Sequence, residues 1–361
     1  MSAITYIIPP DPMTNRSNSE PFSGSMSARS MCKSGAVGAT FLDYVRPDLE
    51  AVEARMDAEI GTDARTTSIL TRHILRAGGK RLRPAMVALS ARAVGNPVDA
   101  ERLAKVGAAV EFFHMATLVH DDVVDNTATR RGKPTANAVF GNGVAVLSGD
   151  YIFARGMRML AIDGDLRIIR MVSEITIEMS EGEVMEIAAT GNASLPLTEY
   201  YEILRKKTAC FVEGCCRCGA ILAQAEDQIE NTLADYGYQL GMAFQIADDL
   251  LDYTGDPSIT GKPRGSDLKD GRATLPFLLA LDASSASERA CLLSAFGNAL
   301  LPDEEVLALC DLMSRYDAFD RTRQVARKFV EQSDVALAGL PPSTSRDCFA
   351  ALTDYVIQRD H

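Results

Sequence analysis

LVHDDVVDNT (residues 118–127) and QIADDLLDYT (residues 245–254) are one pattern written twice, and each closes a run in which apolar residues recur every three or four positions. That spacing is the period of an α-helix packed on one side. Traced backwards, the two runs predict helices over 100–124 and 229–253. The same period returns over 81–94, 136–160, 167–189 and 197–225, with short breaks of Gly, Pro, Asn or Asp between segments. Strand-like alternation is nearly absent. Long helices on short connections pack as antiparallel neighbours, so the fold class expected is all-α, a single large helical bundle. Residues 256–271 (DPSITGKPRGSDLKDG) break the pattern with Gly, Pro and charge, and are expected to form a surface loop or lid.

In domain terms, residues 1–40 are rich in Ser, Met, Pro and Asn, with no apolar signal-peptide core. They are expected to be a disordered leader, in which Met13, Met26 or Met31 could also start the chain. Residues 41–361 form one helical domain. Of the 361 residues, 47% are apolar and 24% charged, the balance of a globular protein. The net charge of −12 opposes nucleic-acid binding. No stretch approaches the roughly 20 apolar residues of a membrane span, and a cytoplasmic protein is expected. Eight cysteines are dispersed through the chain, and four of them (Cys210, Cys215, Cys216, Cys218) share one helical segment without CxxC pairing. They read as reduced thiols at a helix contact.

On a helix, Asp121 and Asp125 share a face, as do Asp248 and Asp252, with Asp122 and Asp249 flanking them. Three carboxylates within one turn at a helix C-terminus repel one another and the helix dipole, which calls for a cation. Hard oxygen donors favour Mg²⁺ over zinc or copper. Cationic clusters accompany the aspartates: Lys80, Arg81 and Arg83 in GGKRLRP (78–84), Arg130 and Arg131 after the first motif, Lys206 and Lys207 with Thr208 in a middle helix, and Lys262 with Arg264 in the loop after the second. A glycine break opening a helix presents backbone N–H groups to phosphate as well.

Taken in order, GGKRLRP, LVHDDVVDNTATRRGKPTAN, KT at Lys207 and Thr208, FQIADDLLDYTGD and GKPRGSDL resemble the ordered motifs of the trans-isoprenyl diphosphate synthases (polyprenyl synthetases) over nearly all of the chain after the leader. The resemblance implies an all-α bundle around a deep central cavity, usually in a homodimer. It also implies about three Mg²⁺ per active site, with Mn²⁺ able to substitute. Asp121, Asp125 and Asp248 would bind metal, supported by Asp122, Asp249 and Asp252. Arg130, Lys207, Lys262, Thr208 and Gln245 would grip an allylic diphosphate with a C10–C20 chain. Lys80, Arg83, His114 and Arg131 would bind isopentenyl diphosphate without metal.

The reaction so implied is ionisation of the allylic C–O bond, attack on the carbocation by the isopentenyl double bond, and loss of a proton. Peripheral membrane contact for product release is compatible with it; transmembrane anchoring is not. Product length would be gauged before Asp121, at Phe113, Ala116 and Thr117. Small Ala116, and FFHMATLVHDDVVD and SEGEV, resemble octaprenyl to decaprenyl (C40–C50) enzymes of quinone side-chain synthesis, whereas a Phe113 ring about 12 Å down the helix could end elongation early and give a farnesyl- or geranylgeranyl-length product. A class I terpene cyclase would carry a different second motif and no isopentenyl site. A non-catalytic regulatory subunit would lack some of the six aspartates.

Overall fold

The computed structural model describes residues 37–60, 71–75, 79–130, 132–256 and 263–357. Two short helices, α1 (Val37–Tyr44) and α2 (Arg46–Glu59), lead into α3 (Leu82–Val94) and α4 (Ala100–Val124). α1 begins inside the stretch expected to be leader; residues 1–36 lie outside the described residues. α4 starts where the Asp99 carboxylate accepts the backbone N–H groups of Glu101 (2.9 Å) and Arg102 (3.3 Å), which replaces bonds a helix start lacks. It runs for 25 residues to the first aspartate motif.

A two-strand ladder, β1 (Thr129–Arg130) with β2 (Lys133–Pro134), follows. Then come α5 (Ala136–Phe140), α6 (Asn142–Asp163) and α7 (Leu166–Ala189). The single helix expected over 136–160 is therefore two, because Gly141 adopts φ 81 and ψ 158, outside helical space. Arg102 bonds Asp163 (2.8 Å) and Asp165 (2.7 Å), fixing the α6–α7 turn to the start of α4.

The segment expected as one helix over 197–225 is α8 (Leu197–Leu204), a π-helical turn at Arg205–Ala209, and α9 (Cys210–Leu222). Its four cysteines are buried and free. Burial pushes the Cys216 and Cys218 thiols up to about 12, so they stay neutral packing groups. α10 (Asp227–Thr254) carries the second motif and is 28 residues, about 42 Å, long.

The expected loop after it is only partly a loop. Ser266–Asp270 forms α11, whose Leu268 is buried, and Gly265 N–H bonds the Asp252 carbonyl (2.9 Å). Half of the predicted lid is thus packed onto the end of α10; residues 257–262, with Lys262, lie outside the described residues. The chain ends with α12 (Leu275–Ala283), α13 (Ala286–Ala295), α14 (Asp303–Arg315), α15 (Ala318–Ala338) and α16 (Thr344–Ile357).

The core divides into two clusters. One joins α1–α4, α6, α7, α9, α16 and the last turn of α15 (Ala336, Leu337); the other joins α8 and α11–α15. α10 serves both, with Leu233, Tyr236 and Leu240 in the first and Met242, Ile246 and Tyr253 in the second.

Phe113 lies in the seam between α4 and α6. A Cβ on Gly156 would sit 3.1 Å from its ring and one on Gly149 only 2.3 Å from the His120 ring. Gly149 and Gly156 thus match, seven residues apart, the two rings seven apart on α4. Ala116, three residues after Phe113, shares that helical face, and both are buried. Phe113→Ala is expected to cost about 3–5 kcal/mol through the void left beside Phe153 and Gly156. Chemical denaturation measures that loss, and product sizing is expected to show unchanged chain lengths.

Candidate active site

A cavity of about 850 Å³ opens between the two motif helices. From α4 it is lined by Glu111, His114 and Leu118, spaced three and four residues apart and hence on one face. α10 contributes Gln245, Asp248, Asp249 and Asp252. Lys80, Arg83, Arg130, Lys207 and Arg272 bring positive charge to the same walls. Thr208 is buried behind the lining. Phe113, Ala116 and Thr117 do not line the cavity; the Thr117 hydroxyl bonds the His114 carbonyl (2.8 Å).

The three aspartates of the first motif have separate surroundings. Asp121 is held up to about 7, first by burial and then by Glu183 and Asp125, with Lys207 and Arg130 acting in the opposite sense. Asp122 is buried and accepts Arg130 Nε (2.8 Å), while its carbonyl accepts Asn137 Nδ2 (3.1 Å). It therefore anchors the β1–β2 hairpin and aims Arg130. Asp125 accepts the Arg272 guanidinium (2.6 Å), a contact across 147 residues of chain that joins the two halves of the site.

In the second motif Asp248, Asp249 and Asp252 all line the cavity, and the bonds that Asp249 and Asp252 accept fix their orientation. Asp249 accepts Tyr200 Oη–H (2.7 Å) and Gln245 Nε2–H (3.1 Å), and Gln245 Oε1 accepts the Thr208 hydroxyl (3.0 Å). Burial still pushes the Asp249 carboxyl up. Asp252 accepts the Ser266 hydroxyl and Asp267 N–H (3.1 Å). Burial, with Asp252 and Asp249 nearby, drives the Asp267 carboxyl well above the usual range. Asp249 and Asp252, expected beside Asp248 as metal-site residues, thus spend much of their bonding on the frame around it.

Lys207 rises from the π turn. Turns of this kind widen a helix by one residue and often mark functional positions. Burial alone would lower its ammonium, but Glu186 and Glu183, the latter 2.8 Å away, more than offset this and keep it charged. Gly182 lets α7 touch the turn: a Cβ there would lie 2.6 Å from Lys207 N. On the opposite wall Arg83 Nη1 meets His114 Nε2 (3.0 Å), and the guanidinium carbon Cζ lies 5.3 Å from the centre of the Phe211 ring. Lys80 reaches the Tyr355 hydroxyl of α16. Arg131 lies outside the described residues, like Lys262.

Sequence reasoning singled out eighteen site positions but passed over Glu183, Glu186, Tyr200, Asp267 and Arg272. The glutamates stand three apart beside Gly182, a helical spacing that could have flagged them; Tyr200, Asp267 and Arg272 gave no comparable signal.

Among the described residues, no three His, Cys, Asp or Glu groups converge closely enough to hold a metal alone. The donors nonetheless suit Mg²⁺, a hard ion that takes one or two carboxylates and leaves its other positions to phosphate and water. The raised Asp121 carboxyl is the mark of crowded, buried negative charge short of a counter-cation.

Comparison with known proteins bears on the same geometry. The family described as polyprenyl synthetase matches residues 65–313. An octaprenyl diphosphate synthase of Escherichia coli is 36% identical over 315 residues, covering 87% of this chain and 96% of that one. A nonaprenyl diphosphate synthase of Mycobacterium tuberculosis is 34% identical, covering 89% and 95%. Among solved structures, a decaprenyl diphosphate synthase from Rhodobacter capsulatus superposes with a TM-score of 0.84 at 34% identity, covering 90% of this chain and 99% of that one. A polyprenyl synthase from Caulobacter crescentus, solved with calcium and isoprenyl diphosphate, gives 0.85 at 33% identity, covering 91% and 100%.

Proposed function

Because the chain belongs to the polyprenyl synthetase family, we propose that it condenses isopentenyl diphosphate onto an allylic diphosphate to give a long-chain all-trans polyprenyl diphosphate. It is a prenyltransferase. The observation that carries the reading is one cavity lined by Asp248, Asp249 and Asp252 on α10 and by Lys80, Arg83, His114, Arg130, Lys207 and Arg272, with Asp125 of the first motif joined to that lining through Arg272. Relatives named for C35 to C50 products support the long chain.

The allylic diphosphate is held by Lys207 and Arg130, with Arg272 added to the set expected from sequence and Lys262 and Thr208–Gln245 completing it. About three Mg²⁺, or Mn²⁺ in their place, would neutralise the charge that develops on the leaving diphosphate. Lys207 stays cationic for the same task. The allylic C–O bond breaks, the isopentenyl alkene attacks the cation, and the departing diphosphate takes the proton. Arg83, His114, Lys80 and Arg131 keep the second diphosphate apart from the first.

Homodimerisation is part of the proposal. Leu147 and Ile162 on α6, with Leu166, Ile177, Val184 and Ile187 on α7, are each more than half exposed. Such an apolar row suits a second copy of the chain. Among the described residues no helix is long and apolar enough to cross a membrane. We place the enzyme in the cytoplasm, with peripheral membrane contact at product release.

Incubation with radiolabelled isopentenyl diphosphate, Mg²⁺ and each of the C10, C15 and C20 starters, followed by sizing of the products, tests the reading. Products of C35 or longer are expected. No incorporation with any starter would reject it, and products ending at C15 or C20 would replace the long chain with a short one.

A further inference from the structure

Arg81, the residue before α3, has left-handed backbone (φ 50) although it is not glycine. A residue with a side chain adopts that geometry at a cost, and keeps it only where its surroundings hold it there. What holds it is visible: its guanidinium bonds Glu111 (2.7 Å) and, more loosely, Glu53 (3.3 Å). Glu111 is only 3% exposed yet lines the cavity. Its second oxygen, Oε2, is buried with no hydrogen-bond partner among the described residues. A buried carboxylate with idle acceptor capacity is unfavourable as fold-building material.

Position explains its presence. Glu111 lies one turn before His114 on α4, and Arg81 stands between Lys80 and Arg83. Arg81 with Glu111, and Arg83 with His114 at 3.0 Å, thus form two parallel ties between the 80–83 segment and a single turn of α4. The first tie involves no residue assigned to substrate. It fixes the twist of the backbone from which Lys80 and Arg83 depart.

We propose that Arg81 and Glu111 are positioning residues for the isopentenyl diphosphate site: their ion pair locks the left-handed turn and so sets the aim of Lys80, Arg83 and His114. The inference rests on the prenyltransferase reading above. It concerns one substrate only, because the allylic diphosphate sits against Arg130, Lys207 and Arg272 elsewhere in the cavity.

Two full-length variants test it. Arg81→Gly keeps the turn without strain, since glycine takes positive φ freely, but removes the tether. Glu111→Gln keeps the shape and removes the charge. For each, KM is measured for either diphosphate with the other saturating, and binding of isopentenyl diphosphate without Mg²⁺ is measured by calorimetry.

In both variants KM and Kd for isopentenyl diphosphate are expected to rise about tenfold or more, with the allylic KM within about twofold and kcat little changed, the pattern of lost binding rather than lost chemistry. Wild-type handling of isopentenyl diphosphate by Arg81→Gly would overturn the proposal, because the turn alone would then suffice. An equal rise in both KM values would also overturn it, showing a merely structural pair. Should Glu111→Gln not fold, Arg81→Gly decides alone. An inactive wild-type enzyme would count against the reaction; altered calorimetric affinity in the variants would still support the pair.

Discussion

Asp121→Asn is expected to slow prenyl transfer by about 10²- to 10³-fold, the scale on which one preorganised electrostatic partner acts, while raising the melting temperature of the metal-free protein. Burial and Glu183 hold the Asp121 carboxyl up to about 7, so in the absence of a cation its charge opposes folding. The sign follows from linkage: a carboxyl whose folded value is raised contributes stability that is complete below its unfolded value near 4 and is lost as pH climbs through about 7. Metal-free wild type should therefore lose stability across that window, and Asp121→Asn should lose less. Added Mg²⁺ with inorganic diphosphate should stabilise wild type at pH 8 more than the variant, since only binding to the folded state shifts the equilibrium. Calorimetric melting at pH 5, 6.5 and 8, with and without the ion, measures all three effects. A variant that melts lower than wild type at pH 8 without metal would mean that Asp121 is not short of positive charge.

Gly182→Ala should be nearly as damaging, although the residue touches no substrate. The added methyl would stand 2.6 Å from Lys207 N and 2.8 Å from Lys206 Cβ, distances that force the π turn and α7 apart. Overpacking of this kind costs typically 1–3 kcal/mol. The larger consequence is for Lys207, whose ammonium is aimed by that turn and flanked by Glu183 and Glu186 on α7. A displacement of about 1 Å in a group that positions a reacting bond can cost about 10²-fold in rate. Steady-state kinetics should show the loss in kcat/KM for the allylic substrate, and circular dichroism should show a folded helical protein. Near-wild-type kcat/KM would show that the turn absorbs a methyl group without moving Lys207.

The bundle and most of the site could be read from the residues because they depend on local spacing. Asp121 and Asp125 share a face by helical geometry, and apolar periodicity located α4 and α10 to within two residues at either end. What spacing does not encode was missed. The π turn at Arg205–Ala209 keeps the apolar period of the flanking helices, so one helix was expected over 197–225. Arg272 reaches Asp125 only through tertiary folding. Within each aspartate triplet, spacing alone does not separate Asp122, Asp249 and Asp252 from Asp121; the family resemblance cast them as supports, and their partners Arg130, Tyr200, Gln245 and Ser266 give that difference a physical form. Phe113 adds a placement that its distance from Asp121 could not give: its ring packs beside Gly156 on α6 and does not line the 850 Å³ cavity.

α10 also bears on how the protein comes apart. One uninterrupted helix supplies buried side chains to both apolar clusters, Tyr236 to one and Tyr253 to the other, so neither cluster can open without exposing a face of the helix that completes its neighbour. Two cores joined by a linker would melt as two units; two cores sharing a rod are bound to a common fate. Heating should therefore give a single calorimetric transition, with Asp248 and its cavity persisting intact until the whole molecule yields.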